Sequence, residues 1–276
     1  MNREVFAAVA DALERGEATA LVTIVAAHGS TPQRVGAKML VFADGRTIGT
    51  IGGGCYESDA FGKAREAIAS RKPQLVHYEL SDDFAQETGL ICGGQMDVYI
   101  EPIEPSPELY IIGGGHVGYH LARLAHEVGF NVHVVDDREK FANRERFPHA
   151  AEVVAANIPE WLATAALPSH AYAVVVTRGH TNDLDALRAL APRDLRYLGL
   201  IGSRAKVARI YDALTAEGMA ADRLTRVHAP IGLDIGAVTP QEIAVSILAE
   251  LVAVKHGKIR SRDAAELTMQ WNNLKA

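Results

Sequence analysis

The sequence predicts an α/β fold: a Rossmann-like, parallel, doubly wound C-terminal domain preceded by a smaller α+β domain. Three observations carry that expectation. From Glu108 to Asp137 an apolar strand, a glycine turn, a helical period and a second strand follow one another. Just before them lies Glu101-Pro102-Ile103-Glu104-Pro105-Ser106-Pro107, whose prolines forbid helix and favour an extended spacer. The chain has 276 residues, 48% of them hydrophobic and 22% charged, enough for two domains with ordinary cores. The expected division is residues 1–101 for the α+β domain, 102–107 for the linker, 108–257 for the Rossmann-like domain and 258–276 for a polar tail.

Composition narrows the partners. The net charge is −6, from 28 Lys+Arg against 34 Asp+Glu, and no basic run occurs, so nucleic acid is not expected. Apolar runs fall far short of a membrane span. The first residues, MNREVFAAVADALERG, alternate apolar and charged positions as a surface helix does and lack a signal peptide's apolar stretch. Two cysteines cannot form a disulfide framework for a chain this size. The expected location is therefore the cytoplasm.

In the first domain, Val5, Val9, Ala12 and Leu13 mark a helical face ended by Gly16. Thr19–Ala27 reads as a buried strand, and a turn-dense segment from His28 to Gly36 follows it. Lys38–Phe42 and Arg46–Ile51 read as strands joined at Asp44-Gly45. A helix is expected from about Tyr56 to Ser70, then strands near Leu75–Leu80 and Met96–Ile100.

Two glycine-rich segments there each carry a cysteine. Cys55 follows Gly52-Gly53-Gly54 at the start of the predicted helix, with Glu57 two residues on. A helix N-terminus favours thiolate over thiol, so such a sulfur can attack, accept sulfur or bind a metal. Cys92 lies in Ile91-Cys92-Gly93-Gly94, where the flanking glycines leave room for a ligand. For both, burial as a small apolar side chain stays open. Cys55, Glu57 and His180 are the catalytic candidates, and Cys55 and Cys92 the candidate metal contacts. A structural zinc site fits poorly, because two isolated cysteines without C-x-x-C spacing do not supply four ligands. Neither H-E-x-x-H nor G-x-S-x-G occurs. Arg34 and Lys38 flank Gly36 beside Ser30 and Thr31, which suits either a phosphate or a solvated hairpin edge.

In the second domain, Leu109–Ile112 is the first strand, and Gly113, Gly115 and Gly118 give G-x-G-x-x-G spacing. Gly113 would allow the tight turn, Gly115 the approach of a pyrophosphate, and Gly118 close helix–strand packing, with His116 at the helix start. Leu121, Leu124, Ala125 and Val128 form the helix face, which Gly129 stops. Val132–Val135 is the next strand, ending on Asp136, an acid expected to accept hydrogen bonds from ribose hydroxyls. A short strand at Glu152–Ala155 and strands at Tyr172–Thr177 and Tyr197–Ile201 follow, the last two ending on Arg178-Gly179-His180 and Gly202-Ser203-Arg204. In a parallel sheet all these ends meet at one edge, where ligands bind. His180 suits an acid–base group or an ordinary loop histidine, and Ser203 suits an N-cap. Ile231–Ala237 is a glycine-punctuated loop before a helix that opens on Thr239-Pro240-Gln241-Glu242 and runs to about His256.

Taken together, these strings resemble the XdhC/CoxI family, accessory proteins for maturing xanthine dehydrogenase and related molybdenum hydroxylases. The carriers are GSTPQRVGAKMLV from Gly29, GTIGGGCYE from Gly49, CGGQMDVYIEP from Cys92 and LYIIGGGHVG from Leu109. VVVTRGH from Val174, YLGLIGSRAKV from Tyr197 and PIGLDIGAVTPQEIAVSILAEL from Pro230 complete the set. The resemblance implies a protein that binds the molybdenum cofactor (molybdopterin), helps sulfurate it and delivers it to an apo-enzyme of the xanthine dehydrogenase type. It implies a cofactor chaperone more than a catalyst, acting as a homodimer, with a cysteine desulfurase as a further partner. Cys55 is suggestive of a CoxI-like branch. The cofactor-binding candidates are then Arg34, Gly54, Cys55, Cys92, Gly113, Gly115, His116, Gly118, Asp136, Arg178, His180, Gly202, Ser203 and Arg204, with the Gly-Cys loops expected to face the Rossmann edge. Two other readings remain: an NAD(P)-dependent oxidoreductase using His180, and a nucleotide-sensing module without chemistry.

Overall fold

Alternation along the strands sorts the apolar residues of each sheet onto two faces, and helices cover both. The computed structural model describes residues 2–79, 94–168 and 170–259, and the chain divides into two compact units, Met1–Ser106 and Pro107–Ala276.

The first unit holds helix α1 (Asn2–Glu14), strands β1 (Thr19–His28), β2 (Lys38–Phe42) and β3 (Thr47–Gly49), helix α2 (Cys55–Ser70), and strands β4 (Gln74–Glu79) and β5 (Gln95–Ile103). Its sheet has the order β3-β2-β1-β5-β4, with antiparallel pairing throughout. Ala20, Val22, Ile24, Met39 and Val41 face α2, whose Ala60, Ala64 and Ala67 recur at helical spacing. Leu21, Leu40 and Phe42 face Val5 and Ala12 of α1. β5 takes in Pro102 and Ile103, which the sequence places in the linker. Beyond Ile100 it pairs with β1 alone, so a residue lacking an N–H loses no ladder bond on its open side.

The second unit runs β6 (Glu108–Ile112), α3 (His116–Glu127), β7 (Asn131–Asp136), β8 (Glu152–Ala155), α4 (Ile158–Thr164), β9 (Tyr172–Val175), α5 (His180–Leu190), β10 (Tyr197–Leu200), α6 (Arg204–Ala216), α7 (Ala221–Leu224) and α8 (Pro240–Lys255). The sheet is parallel, in the order β10-β9-β6-β7-β8. Leu109 and Ile111 pack toward α3 and α8, while Tyr110 and Ile112 pack toward α4, α5 and α6. Beyond β10 the chain returns alongside it, with a parallel bridge between Gly199 and His228. That segment stands where a doubly wound sheet carries its sixth strand. The strand order reverses between β6 and β9, the crevice where such sheets bind ligands. No helix among the described residues is long and apolar enough to cross a membrane.

Candidate functional site

The glycines after β6 divide into packing positions and one open position. Gly113 has φ 119°, donates its N–H to Val135 O at 2.8 Å, and a Cβ there would lie 2.5 Å from Val176 O. A Cβ on Gly118 would sit 2.0 Å from Gly113 O, so α3 rests against the turn only because that atom is missing. Gly115 is different. It stands at the N-cap of α3 with no side-chain cap, and a Cβ would meet nothing within 4 Å. The first turn of α3 therefore presents backbone N–H groups that no side chain caps, the arrangement that suits a phosphate.

Asp136 closes this turn from behind, and here the expected role changes. It is buried. Its Oδ2 accepts from Gly114 N at 2.8 Å and Arg138 Nη2 at 2.9 Å. Its Oδ1 accepts from Arg138 N at 3.0 Å and Arg138 Nε at 2.8 Å. A carboxylate offers about four lone-pair positions, and these donors fill them. Asp136 positions the glycine turn and is not free for ribose hydroxyls. Burial pushes its carboxyl up, but the bonds from Arg138 and the Gly114 N–H outweigh burial and hold it below the ordinary range.

Arg138 also lies over the Phe141 ring at 3.8 Å, and Arg146 donates to Gly114 O at 3.3 Å. The segment from Arg138 to Arg146 thus clamps the turn and brings two guanidinium groups to it. The reading of the sequence missed both arginines. The available signal was an arginine two residues after a strand-final acid.

The neighbouring strand ends supply the rest of the edge. After β9, Arg178 and Gly179 are exposed. Gly179, at φ 92°, begins α5 without a side-chain cap, and His180 is its first helical residue. Behind them Asp183 is buried, bonded to Thr177 Oγ1 and paired with Lys206. Burial pushes its carboxyl above the ordinary value despite those partners. After β10, Gly202 precedes Ser203, whose hydroxyl accepts from Lys206 N at 3.3 Å and caps α6. Arg204 is exposed beside it. The parallel topology sets Gly113–Gly118, Arg178–His180 and Gly202–Arg204 at the same edge of one sheet.

The first unit carries a separate constellation. Gly52, Gly53 and Gly54 have φ of 127°, 79° and 81°, a left-handed run that glycine alone adopts readily. Glu57 holds the run together. Its Oε2 accepts from Thr50 Oγ1 at 2.5 Å, Ile51 N at 2.8 Å, Gly53 N at 2.9 Å and Gly52 N at 3.1 Å. Burial pushes this carboxyl up, and the four donors more than offset burial, leaving it below the ordinary range. Glu57 therefore builds the turn through Oε2. Cys55 is exposed and opens α2 behind Gly54, again with no side-chain cap. A Cβ on Gly52 would lie 2.8 Å from Pro32 Cβ, and one on Gly94 would lie 2.5 Å from Ser30 O. The 28–36 loop thus packs against the glycines that precede Cys55 and against Gly94. Cys92 lies outside the described residues. Arg34 is exposed in that loop. Lys38 does not join it: its ammonium donates to Thr23 Oγ1 at 3.0 Å. Among the described residues no group of three or more His, Cys, Asp or Glu is placed to hold a metal ion.

Comparison with known proteins gives matches to two family models. Residues 109–251 match the family described as the XdhC Rossmann domain, and residues 12–79 match the XdhC and CoxI family. The chain is 39% identical to the Escherichia coli (strain K12) protein YqeB over 86% of its own length, but it spans only 43% of that relative. It is 26% identical to a Bacillus subtilis (strain 168) protein described as a probable xanthine dehydrogenase component, over 88% of this chain and 95% of the relative. It is 23% identical to the molybdenum cofactor insertion chaperone PaoD of Escherichia coli (strain K12), over 92% and 89%. A crystal structure described as a xanthine dehydrogenase from Bacillus halodurans superposes with a TM-score of 0.52 at 23% identity, covering 92% of this chain and 97% of that one. That likeness concerns the fold.

Proposed function

The chain belongs to the XdhC/CoxI family, and from that premise we propose that it is an accessory protein for a molybdoenzyme of the xanthine dehydrogenase type. It binds the molybdenum cofactor, assists its sulfuration and inserts it into the apo-enzyme. The observation that carries this reading is Cys55, an exposed thiol at an uncapped helix start, set on a left-handed glycine turn that the half-buried Glu57 carboxylate holds in shape. An exposed cysteine sulfur suits a soft metal or a transferable sulfur.

The residues fit the group in a second respect. Molybdopterin carries a phosphate, and the open Gly115 position with the uncapped start of α3 matches one. When bound, the cofactor supplies the metal centre and its exchangeable sulfur. The protein supplies the rest: backbone N–H groups of α3 that fix a phosphate, cations at Arg178 and Arg204 that add charge, and the sulfur of Cys55. A cysteine desulfurase is the proposed source of sulfur, and a homodimer the proposed working form. The oxidoreductase reading is less well supported, since it wants an acid free for the ribose, and Asp136 has none of its acceptor positions to spare.

The test is retention of released molybdenum cofactor after desalting, read as molybdenum content and as oxidised-pterin fluorescence. Near-stoichiometric retention by the wild type, lost in Cys55→Ala at unchanged Tm, is expected. Failure of the wild type to retain molybdenum, together with saturable nicotinamide binding, would overturn the reading.

A further inference from the structure

At the opposite edge of the same parallel sheet, where β10 begins, lies a cavity of about 350 Å³ that the family reading leaves unassigned. Its volume is within the range of small-molecule sites. Arg193 and Arg196 line it from the turn after α5, and Arg223 and Arg226 from α7 and the turn behind it. Among the described residues that line it, none carries a carboxylate. Four arginines around one small cavity give it a positive potential that favours an anion.

Their side chains are held in different ways. Arg193 donates to Ala189 O at 3.3 Å, to Ala165 O at 2.8 Å and to Leu162 O, so its guanidinium is anchored on backbone carbonyls and adds its charge to the cavity wall. Arg223 donates to Pro192 O at 3.3 Å. Arg226 reaches Asp194 at 3.1 Å in an exposed pair, which contributes little. Arg196 is exposed. At the floor of the cavity is His228, buried, with Nδ1 2.5 Å from Glu250 Oε1. Glu250 in turn accepts from Gly232 N, so the carboxylate orients the ring and leaves Nε2 as the nitrogen for the cavity.

We propose that this cavity is a second anion site, taking a small phosphomonoester. The arginines meet the phosphate oxygens through charge-assisted bonds, and His228 Nε2 meets a hydroxyl of the ester. The site is independent of the glycine turn and of Cys55. Calorimetric titration of the full chain with glycerol 3-phosphate tests it, with Arg196→Ala/Arg226→Ala and Gly115→Val as variants, each checked by thermal melting. Saturable binding is expected, weakened about tenfold or more in the double arginine variant, since each lost charge-assisted bond costs at least that factor, and unchanged in Gly115→Val. Absence of saturation in the wild type, equal affinity in the arginine variant, or loss confined to Gly115→Val would each overturn it.

Discussion

Glu57 and Cys55 stand two residues apart and do different work, which makes them separable by mutation. Glu57 Oε2 takes four donors, three of them backbone N–H groups. Glu57→Ala leaves those groups without their acceptor, and the expected loss is about 2 kcal/mol of stability, from the cost of stranded donors in a half-buried turn. Glu57→Gln keeps an acceptor oxygen but not the charge, so its loss should be smaller, about 1 kcal/mol. Urea midpoints of the two variants check this, and equal midpoints for wild type and Glu57→Ala would refute the turn-building role. Cys55→Ala removes an exposed side chain and should leave the midpoint within about 0.5 kcal/mol. Asp136 makes the same point in the second unit: its value lies in holding Gly114 and Arg138, and Asp136→Asn would set an amide against the guanidinium.

At the scale of elements, the glycines at the start of α3 give a contrast between two nearby positions. Gly118→Ala drives a methyl to within 2.0 Å of Gly113 O, a backbone atom that cannot yield, so α3 must shift. A cost of about 2 kcal/mol or more follows, by analogy with overpacked cores. Gly115→Ala, at φ −64° with open space beside it, should be nearly neutral in stability while Gly115→Val lowers pterin binding. Comparable destabilisation by Gly115→Ala and Gly118→Ala would break this division. Thr239→Ala removes one half of the capping box that starts α8, and thermal unfolding should show about 1 kcal/mol lost. Such elements were readable because period, turn residues and caps agreed: β6, α3, β7 and the α8 start were all legible in the sequence. The short helices α4 and α7 were not, because seven and four residues are too few to display a helical period. The bonding of Asp136 was not legible: the string Asp136-Asp137-Arg138 places an arginine two residues on, but only the fold turns it back onto the acid. The arginine cavity was invisible for a related reason. Its two pairs lie about thirty residues apart in the chain and meet only when β10 is laid beside α7.

For the whole molecule, the titrating groups give the two units different pH behaviour. Glu57 in the first unit and Asp136 and Glu108 in the second are held below their ordinary values. For Glu108, burial pushes up, and the bonds from His133 and Asn131 more than compensate. Each of these carboxylates stabilises the fold above its unfolded value, and that contribution fades as pH falls through its folded value. Asp183, raised by burial, acts in the opposite sense: its protonated form favours folding, and its contribution fades as pH climbs through its raised value. His133 sets the other limb. Burial lowers its affinity for a proton, but Glu108 at 2.5 Å and Glu152 at 3.3 Å more than reverse that and raise it above the ordinary imidazole value. Its stabilisation is complete below the unfolded value and is lost as pH rises through the raised one. Both units should therefore weaken on acidification, and the second should in addition lose the His133 contribution as pH rises through that group's raised value. Hydrogen exchange across a pH series, corrected for intrinsic rates, separates them: amides of β6 and β7 lose protection on the alkaline side while those of β1 and β2 do not. His133→Gln should flatten that limb and also reduce the part of the acid limb that Glu108 contributes, since Glu108 loses its His133 partner; an alkaline limb that survives the substitution would show that another group controls it.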